Sequence, residues 1–141
     1  MLDSVCRKPF DDGLHEPSLP TKQPFSVPPV APQVPVQMVR LQDWCAQHSL
    51  SYIDVLKTDC QGYDLEVLKG ADALLRNRQI GTLCVEVLFT ELYQGQAYFD
   101  DILSFLRLRG YSLFGIYGVC RDSERAMAWA DAVFMAPKPP R

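Results

Sequence analysis

The sequence is poor in the features that mark extracellular, membrane or nucleic-acid proteins. Its five cysteines (Cys6, Cys45, Cys60, Cys84, Cys120) form no C-x-x-C pair, so zinc-ribbon and dithiol redox spacings are missing. An odd number of scattered cysteines, three inside or against apolar runs, reads as buried free thiols in a reducing compartment. No apolar run approaches the length of a membrane-spanning helix. Met1 to Gly13 carries both charge signs and no apolar signal core. These absences predict a cytoplasmic protein with no membrane association. The formal net charge is -3, and the one basic cluster, Lys138 and Arg141, sits in a proline-containing tail, so no nucleic-acid footprint is expected. No G-x-G-x-x-G occurs, which argues against half of a dinucleotide-binding dehydrogenase. His15 and His48, the two histidines, have no Cys, Asp or Ser neighbour that suggests a triad or metal site, and no metal is expected.

Proline is abundant, but only at one end. Eight of the 11 prolines precede residue 36 (Pro9, Pro17, Pro20, Pro24, Pro28, Pro29, Pro32, Pro35). Each fixes φ and removes an N–H donor, so residues 1–35 can form neither a regular helix nor a central strand. They are expected to be an extended, partly disordered arm. Residues 36–137 are expected to fold, and 138–141 to form a tail. The 141 residues suffice for one domain with a real core.

From Val36 onward two periods alternate. Val36–Leu41 reads as a short strand before a helix at Gln42–His48, and Ile53–Asp59 as a compact apolar strand. Tyr63–Arg76 carries Leu65, Leu68, Ala71 and Leu75 at helical spacing. Gly81–Phe89 is almost continuously apolar or β-branched, as a strand covered on both faces should be. Phe99, Ile102, Leu103 and Leu106 form one stripe across Ala97–Arg109, with Gly110 where a C-cap belongs. Tyr111–Tyr117 and Asp131–Ala136 read as strands, joined by a loop or short helix. Two strand–helix–strand crossovers and a final pairing imply an α/β fold. Its sheet is expected to be mainly parallel with an antiparallel edge hairpin.

Ligands of such sheets bind outside the carboxyl ends of the strands, which points to Lys57-Thr58-Asp59-Cys60-Gln61-Gly62-Tyr63-Asp64. Lys57 and Asp59 stand two apart and project from one face, and Gly62 suits a tight strand-to-helix turn. Spacing alone equally describes an ordinary ion pair and a routine turn. Glu86 lies within an apolar run, where an unpaired carboxylate is costly. It has two readings: an ion pair with Lys57 on a neighbouring strand, or a group that binds acceptor hydroxyls. Tyr93 and Gln96 follow in a loop that forms either a substrate rim or ordinary packing.

This stretch resembles the signature of the FkbM family of S-adenosylmethionine-dependent methyltransferases. There the core strand reads K-I-D-V-E/Q-G-Y/x-E and leads into a helix ending L-K-G-A, here Leu68-Lys69-Gly70-Ala71. Asp64 stands where Glu is usual. Val85-Glu86-Val87 with Phe89, Leu92-Tyr93, Gly95-Gln96, Phe99-Asp100, Gly110-Tyr111 and Ala130-Asp131-Ala132-Val133-Phe134 follow in the family's order, so the likeness spans roughly residues 38–136.

The resemblance implies part of a class I (Rossmann-like) methyltransferase half-sheet and O-methylation, with S-adenosylmethionine as cofactor and a sugar or polyketide-like hydroxyl as small-molecule or glycan acceptor. It implies catalytic roles for Asp59, as base or anchor, and for Lys57. Gln61, Tyr63, Glu86 and Tyr93 would form the substrate-binding set. Nothing upstream resembles the family's first strand and its glycine-rich turn, so no donor-binding residue carries over. The competing expectation is a non-catalytic half-domain, whose open edge at Ile53–Asp59 would be covered by a partner chain.

Overall fold

The computed structural model describes residues 35–136. The proline-rich arm, except Pro35, and the tail lie outside the described residues. From Val39 the chain forms one compact unit. Its elements run α1 (Leu41–Gln47), β1 (Ile53–Thr58), α2 (Asp64–Lys69), α3 (Asp72–Arg76), β2 (Ile80–Leu88), α4 (Phe99–Arg107), β3 (Ser112–Arg121) and β4 (Met127–Met135). The strands form one sheet in the order β1-β2-β4-β3.

The α/β reading holds, and the pairing needs correction. β1 and β2 are parallel, with Leu56 opposite Leu83 and Thr58 opposite Val85. β4 is antiparallel to both β2 and β3, so one of the three pairings is parallel. The reversed strand also lies inside the sheet, leaving β1 and β3 as edges. The last two strands form a hairpin, as expected, and its second arm then occupies the gap beside β2. Its turn is tighter than the predicted loop because Asp122 Oδ1 accepts N–H bonds from Glu124 and Ala126, each at 2.9 Å.

Two further expectations fail locally. Residues 36–40 form no strand. The expected helix over Tyr63–Arg76 breaks into α2 and α3, because the Gly70 carbonyl is diverted to the Gln42 N–H of α1 at 3.2 Å. Gln42 Oε1 also accepts the Ala73 N–H at 3.2 Å, so α1 caps the start of α3. α4 ends before Gly110, whose φ is +83°, as its sequence position predicts.

The core lies on one face of the sheet. Leu83, Val85 and Val87 of β2 and Ala130, Ala132 and Phe134 of β4 point into it, where they meet Leu68, Leu74, Leu75, Ile102 and Leu106 from the helices. Complete burial of each such leucine contributes about 1.5–3 kcal/mol. Tyr111 closes the far end: its hydroxyl donates to the Ile80 carbonyl at 2.6 Å, and burial pushes its ionisation up to about 12. Arg109 Nε donates to Asp72, Nη1 donates to the Phe105 carbonyl, and the guanidinium lies 3.3 Å from the Phe105 ring centre. Asp72 is held below its usual range by hydrogen bonds from Arg76 and Arg109.

The opposite face is open among the described residues. Alternation and register place Val55, Lys57, Thr82, Cys84, Glu86, Val133, Asp131 and Tyr117 there. Val55, on edge strand β1, remains 63% exposed. No helix among the described residues is long and apolar enough to cross a membrane. Cys45, Cys60 and Cys84 are free thiols, but Cys120 is disulfide-bonded. That departs from the expectation of free thiols throughout.

Candidate functional site

The carboxyl ends of β1 and β2 adjoin because those strands are parallel. Thr58, the last residue of β1, turns into the core, while Lys57 and Asp59 face the open side. Lys57 Nζ lies 3.3 Å from Asp59 Oδ2. The bond to Asp59, followed by the charge of Asp131, raises the Lys57 ammonium above its usual range. Both side chains are about half exposed, so this pair orients the groups more than it stabilises the fold.

The turn after β1 is built from backbone that few residues adopt. Gln61 has φ +52° and Gly62 φ +89°. A Cβ on Gly62 would stand 3.0 Å from Gln96 Cβ and 3.1 Å from Tyr93 Cδ2, so the β2–α4 loop packs against a bare backbone here. Asp64 folds back over the turn. Its two carboxylate oxygens accept the Cys60 N–H at 3.3 and 3.2 Å, and it is buried. At the first turn of α2 its charge also faces the positive end of the helix. Asp64 thus closes the turn and does not face the open side.

Gln61 joins the two strand ends. Its Nε2 donates to Asp59 Oδ1 at 3.2 Å, and the Tyr93 hydroxyl donates to its Oε1. Lys57, Asp59, Gln61 and Tyr93 therefore form one connected chain. Gln96 holds the loop that delivers Tyr93. Its Oε1 accepts the Leu92 and Tyr93 N–H groups, and its Nε2 donates to the Thr90 carbonyl, all at 2.8 Å. Of its two readings, substrate rim or ordinary loop packing, these bonds match the packing role. Tyr63, also an expected substrate contact, is exposed and makes no side-chain hydrogen bond with the others.

Glu86 stands one step past the last β1–β2 pair and directly opposite Asp131 on β4. The expected Lys57–Glu86 ion pair is not formed, since Lys57 reaches the nearer Asp59. Among the described residues the Glu86 carboxyl has no hydrogen bond and no ion pair. Its proton affinity is pushed up to about 7, first by burial, then by the carboxylates of Asp59, Asp64 and Asp131, with Lys57 opposing weakly. Tyr93 is raised in turn, by burial first and then by the charges of Glu86 and Asp59.

Asp131 is the member that sequence reasoning missed. It lay inside an apolar strand ending, and only the β2–β4 register brings it opposite Glu86. Five of the six expected site residues (Lys57, Asp59, Gln61, Glu86 and Tyr93) meet at this end of the sheet, and Tyr63 stands apart. Chemically, the arrangement offers one anchored carboxylate, Asp59, two carboxyl groups without a hydrogen bond among the described residues, Glu86 and Asp131, a phenol and an ammonium. It suits binding and deprotonating a hydroxyl. Among the described residues no three His, Cys, Asp or Glu side chains gather as a metal-ligand set.

Comparison with known proteins sharpens this chemistry. The model of the Methyltransferase FkbM domain matches residues 12–113, more than half the chain. The chain is 36% identical over 74 residues to the 2-O-methyltransferase NoeI of Sinorhizobium fredii (strain NBRC 101917 / NGR234). That stretch covers 52% of this chain and 29% of the relative, so it spans less than a third of the relative's length. No solved structure matches.

Proposed function

The chain belongs to the Methyltransferase FkbM domain family, and we propose that it carries the acceptor side of an S-adenosylmethionine-dependent O-methyltransferase acting on a sugar or polyketide-like hydroxyl. The observation that carries this reading is the convergence of Lys57, Asp59, Gln61, Tyr93 and Glu86 at the carboxyl ends of two parallel strands. Such ends are where ligands of α/β sheets bind. The relative named above is a 2-O-methyltransferase, which supports a hydroxyl oxygen as the acceptor atom. The order β1-β2-β4-β3, with its reversed strand inside, supports the second half of a class I methyltransferase sheet.

Within such a site Asp59 and Gln61 orient the acceptor through the Tyr93 hydroxyl. Proximity and alignment supply much of the rate in an in-line displacement, and an aliphatic hydroxyl also needs a base for its proton. S-adenosylmethionine supplies an electrophilic methyl group when bound. The described residues do not fit that donor by themselves. A donor carboxylate needs free backbone N–H groups at a strand-to-helix turn. Here the Cys60 N–H is taken by Asp64, and those of Leu92 and Tyr93 are taken by Gln96, which leaves only those of Gln61 and Gly62 at the turn after β1.

The second reading, a half-domain that docks a partner chain, is favoured by the exposure of edge strand β1. Calorimetric titration of the purified full chain with S-adenosylhomocysteine separates the two. Micromolar binding supports the methyltransferase, and no binding by a chain shown to be folded supports the docking half-domain.

A further inference from the structure

Three carboxyl groups stand at this sheet end, with Glu86 between Asp59 at the end of β1 and Asp131 on β4, and they are not equivalent, although the sequence motif points to Asp59. Both Asp59 oxygens are already engaged, Oδ2 with Lys57 and Oδ1 with Gln61. A carboxylate fixed between an ammonium and an amide is a good anchor, with one acceptor site on each oxygen taken and its charge compensated. Glu86 lies on the same face, one strand away, and among the described residues neither of its oxygens is committed. The apolar strand around it and its like-charged neighbours make it the group that most readily gains a proton here. We propose that Glu86 is the proton acceptor for the ligand hydroxyl in this site, and that Asp59 is a positioning residue acting through Gln61 and Tyr93. The proposal rests on the methyl-transfer reading above.

The step balances as a proton transfer. The O–H bond of the acceptor breaks, its proton forms an O–H bond on a Glu86 carboxylate oxygen, and the electron pair remains on the acceptor oxygen. That oxygen is thereby made nucleophilic toward the methyl carbon of a sulfonium donor. Afterwards Glu86 returns its proton to water. Efficient general bases have proton affinities near the working pH, and the ionisable groups around Glu86 set this balance. They are Asp59 and Lys57 at the end of β1, Asp64 at the start of α2, Asp131 on β4 and Tyr93 in the loop after β2. A purely structural carboxylate in such a place would be expected to hold a partner, and Glu86 holds none among the described residues.

The test uses the full chain as wild type, Glu86→Gln and Asp59→Asn. An α-diazoacetamide esterifies carboxyl groups that carry a proton, and peptide mass spectrometry then locates the ester from pH 5 to 8. Labelling of Glu86 near neutrality, ahead of Asp59 and Asp131, is expected. No label on Glu86 below pH 7, or a label on Asp59 first, overturns the proposal.

Transfer of tritiated methyl from S-adenosylmethionine to methyl hexosides is measured in parallel. Glu86→Gln should lower kcat by about 10²–10⁴-fold and abolish the acid limb of the pH profile, while Asp59→Asn should act mainly on KM. Wild-type turnover and pH profile in Glu86→Gln overturn the proposal. A wild-type chain that transfers no methyl sinks the methyl-transfer reading instead, and the labelling still decides whether Glu86 is the proton-exchanging carboxyl.

Discussion

Removing the charge at Glu86 should stabilise the protein, increasingly as pH rises from about 4.5 to about 7 and fully above that. In the unfolded chain this carboxyl titrates near 4.5, and in the folded protein near 7. Below about pH 4.5 it is protonated in both states and contributes nothing. Between 4.5 and 7 the folded state keeps a proton that the unfolded state has released, so stability falls as pH rises through this window. Above about 7 the cost is fully present. The two titration points convert to about 3 kcal/mol at 1.36 kcal/mol per pH unit. Glu86 is only partly buried and the carboxylates around it are solvated, so screening reduces this to about 1–2 kcal/mol. Urea unfolding of wild type and Glu86→Gln at pH 5 and pH 8 reads the effect. The cost of burying the new amide cancels when the two pH values are compared. The variant should gain about 1–2 kcal/mol over wild type between pH 5 and 8, or roughly 4–16 °C in Tm for a unit this size. An identical difference at both pH values would refute the reasoning, because the carboxylate would then have a compensating partner. A residue kept at a cost to stability is what a working site often contains.

Three other outcomes follow from the same structure. Gly62→Ala should cost about 1–3 kcal/mol in chemical denaturation, since it combines a positive φ with a close approach to Gln96 and Tyr93. It should also loosen the Tyr93–Gln61 contact, seen as increased amide exchange over residues 90–97. Asp72→Ala should cost about 2–3 kcal/mol because it strips the counter-ion from the nearly buried Arg109 guanidinium. Arg76→Ala removes only an exposed partner of the same Asp72 and should cost less than about 1 kcal/mol. Equal effects of the two variants would contradict the burial argument. Tyr111→Phe leaves the Ile80 carbonyl without its hydroxyl donor and should lower stability by about 1 kcal/mol without changing the fold, as read by thermal unfolding and circular dichroism.

The helix stripes and buried strands were legible because their periods are local properties. Leu83, Val85 and Val87 alternate into the core, and Ile102 and Leu106 share a helix face, as their spacing requires. The break at Gly70 was not legible. A carbonyl bond to Gln42 decided it, and Gln42 is 28 residues away in sequence. Hairpin pairing was legible between β3 and β4, but not the choice of β2 as the other neighbour of β4.

At the site, sequence alone determined which chemical groups are available and that they stand near strand ends. Lys57 and Asp59 share a face by alternation, and Gly62 marks the turn. Tertiary structure decided what each group does. Parallel pairing of β1 with β2 puts Glu86 beside the Asp59 end, and the antiparallel return of β4 sets Asp131 opposite it. The fold of the loop spends Gln96 on backbone N–H groups and gives Gln61 to Asp59 and Tyr93. Proton affinity and hydrogen-bond occupancy depend on what surrounds a group within a few ångströms. Those neighbours come from strands and loops far apart in the chain, so no reading of spacing along it could assign the base.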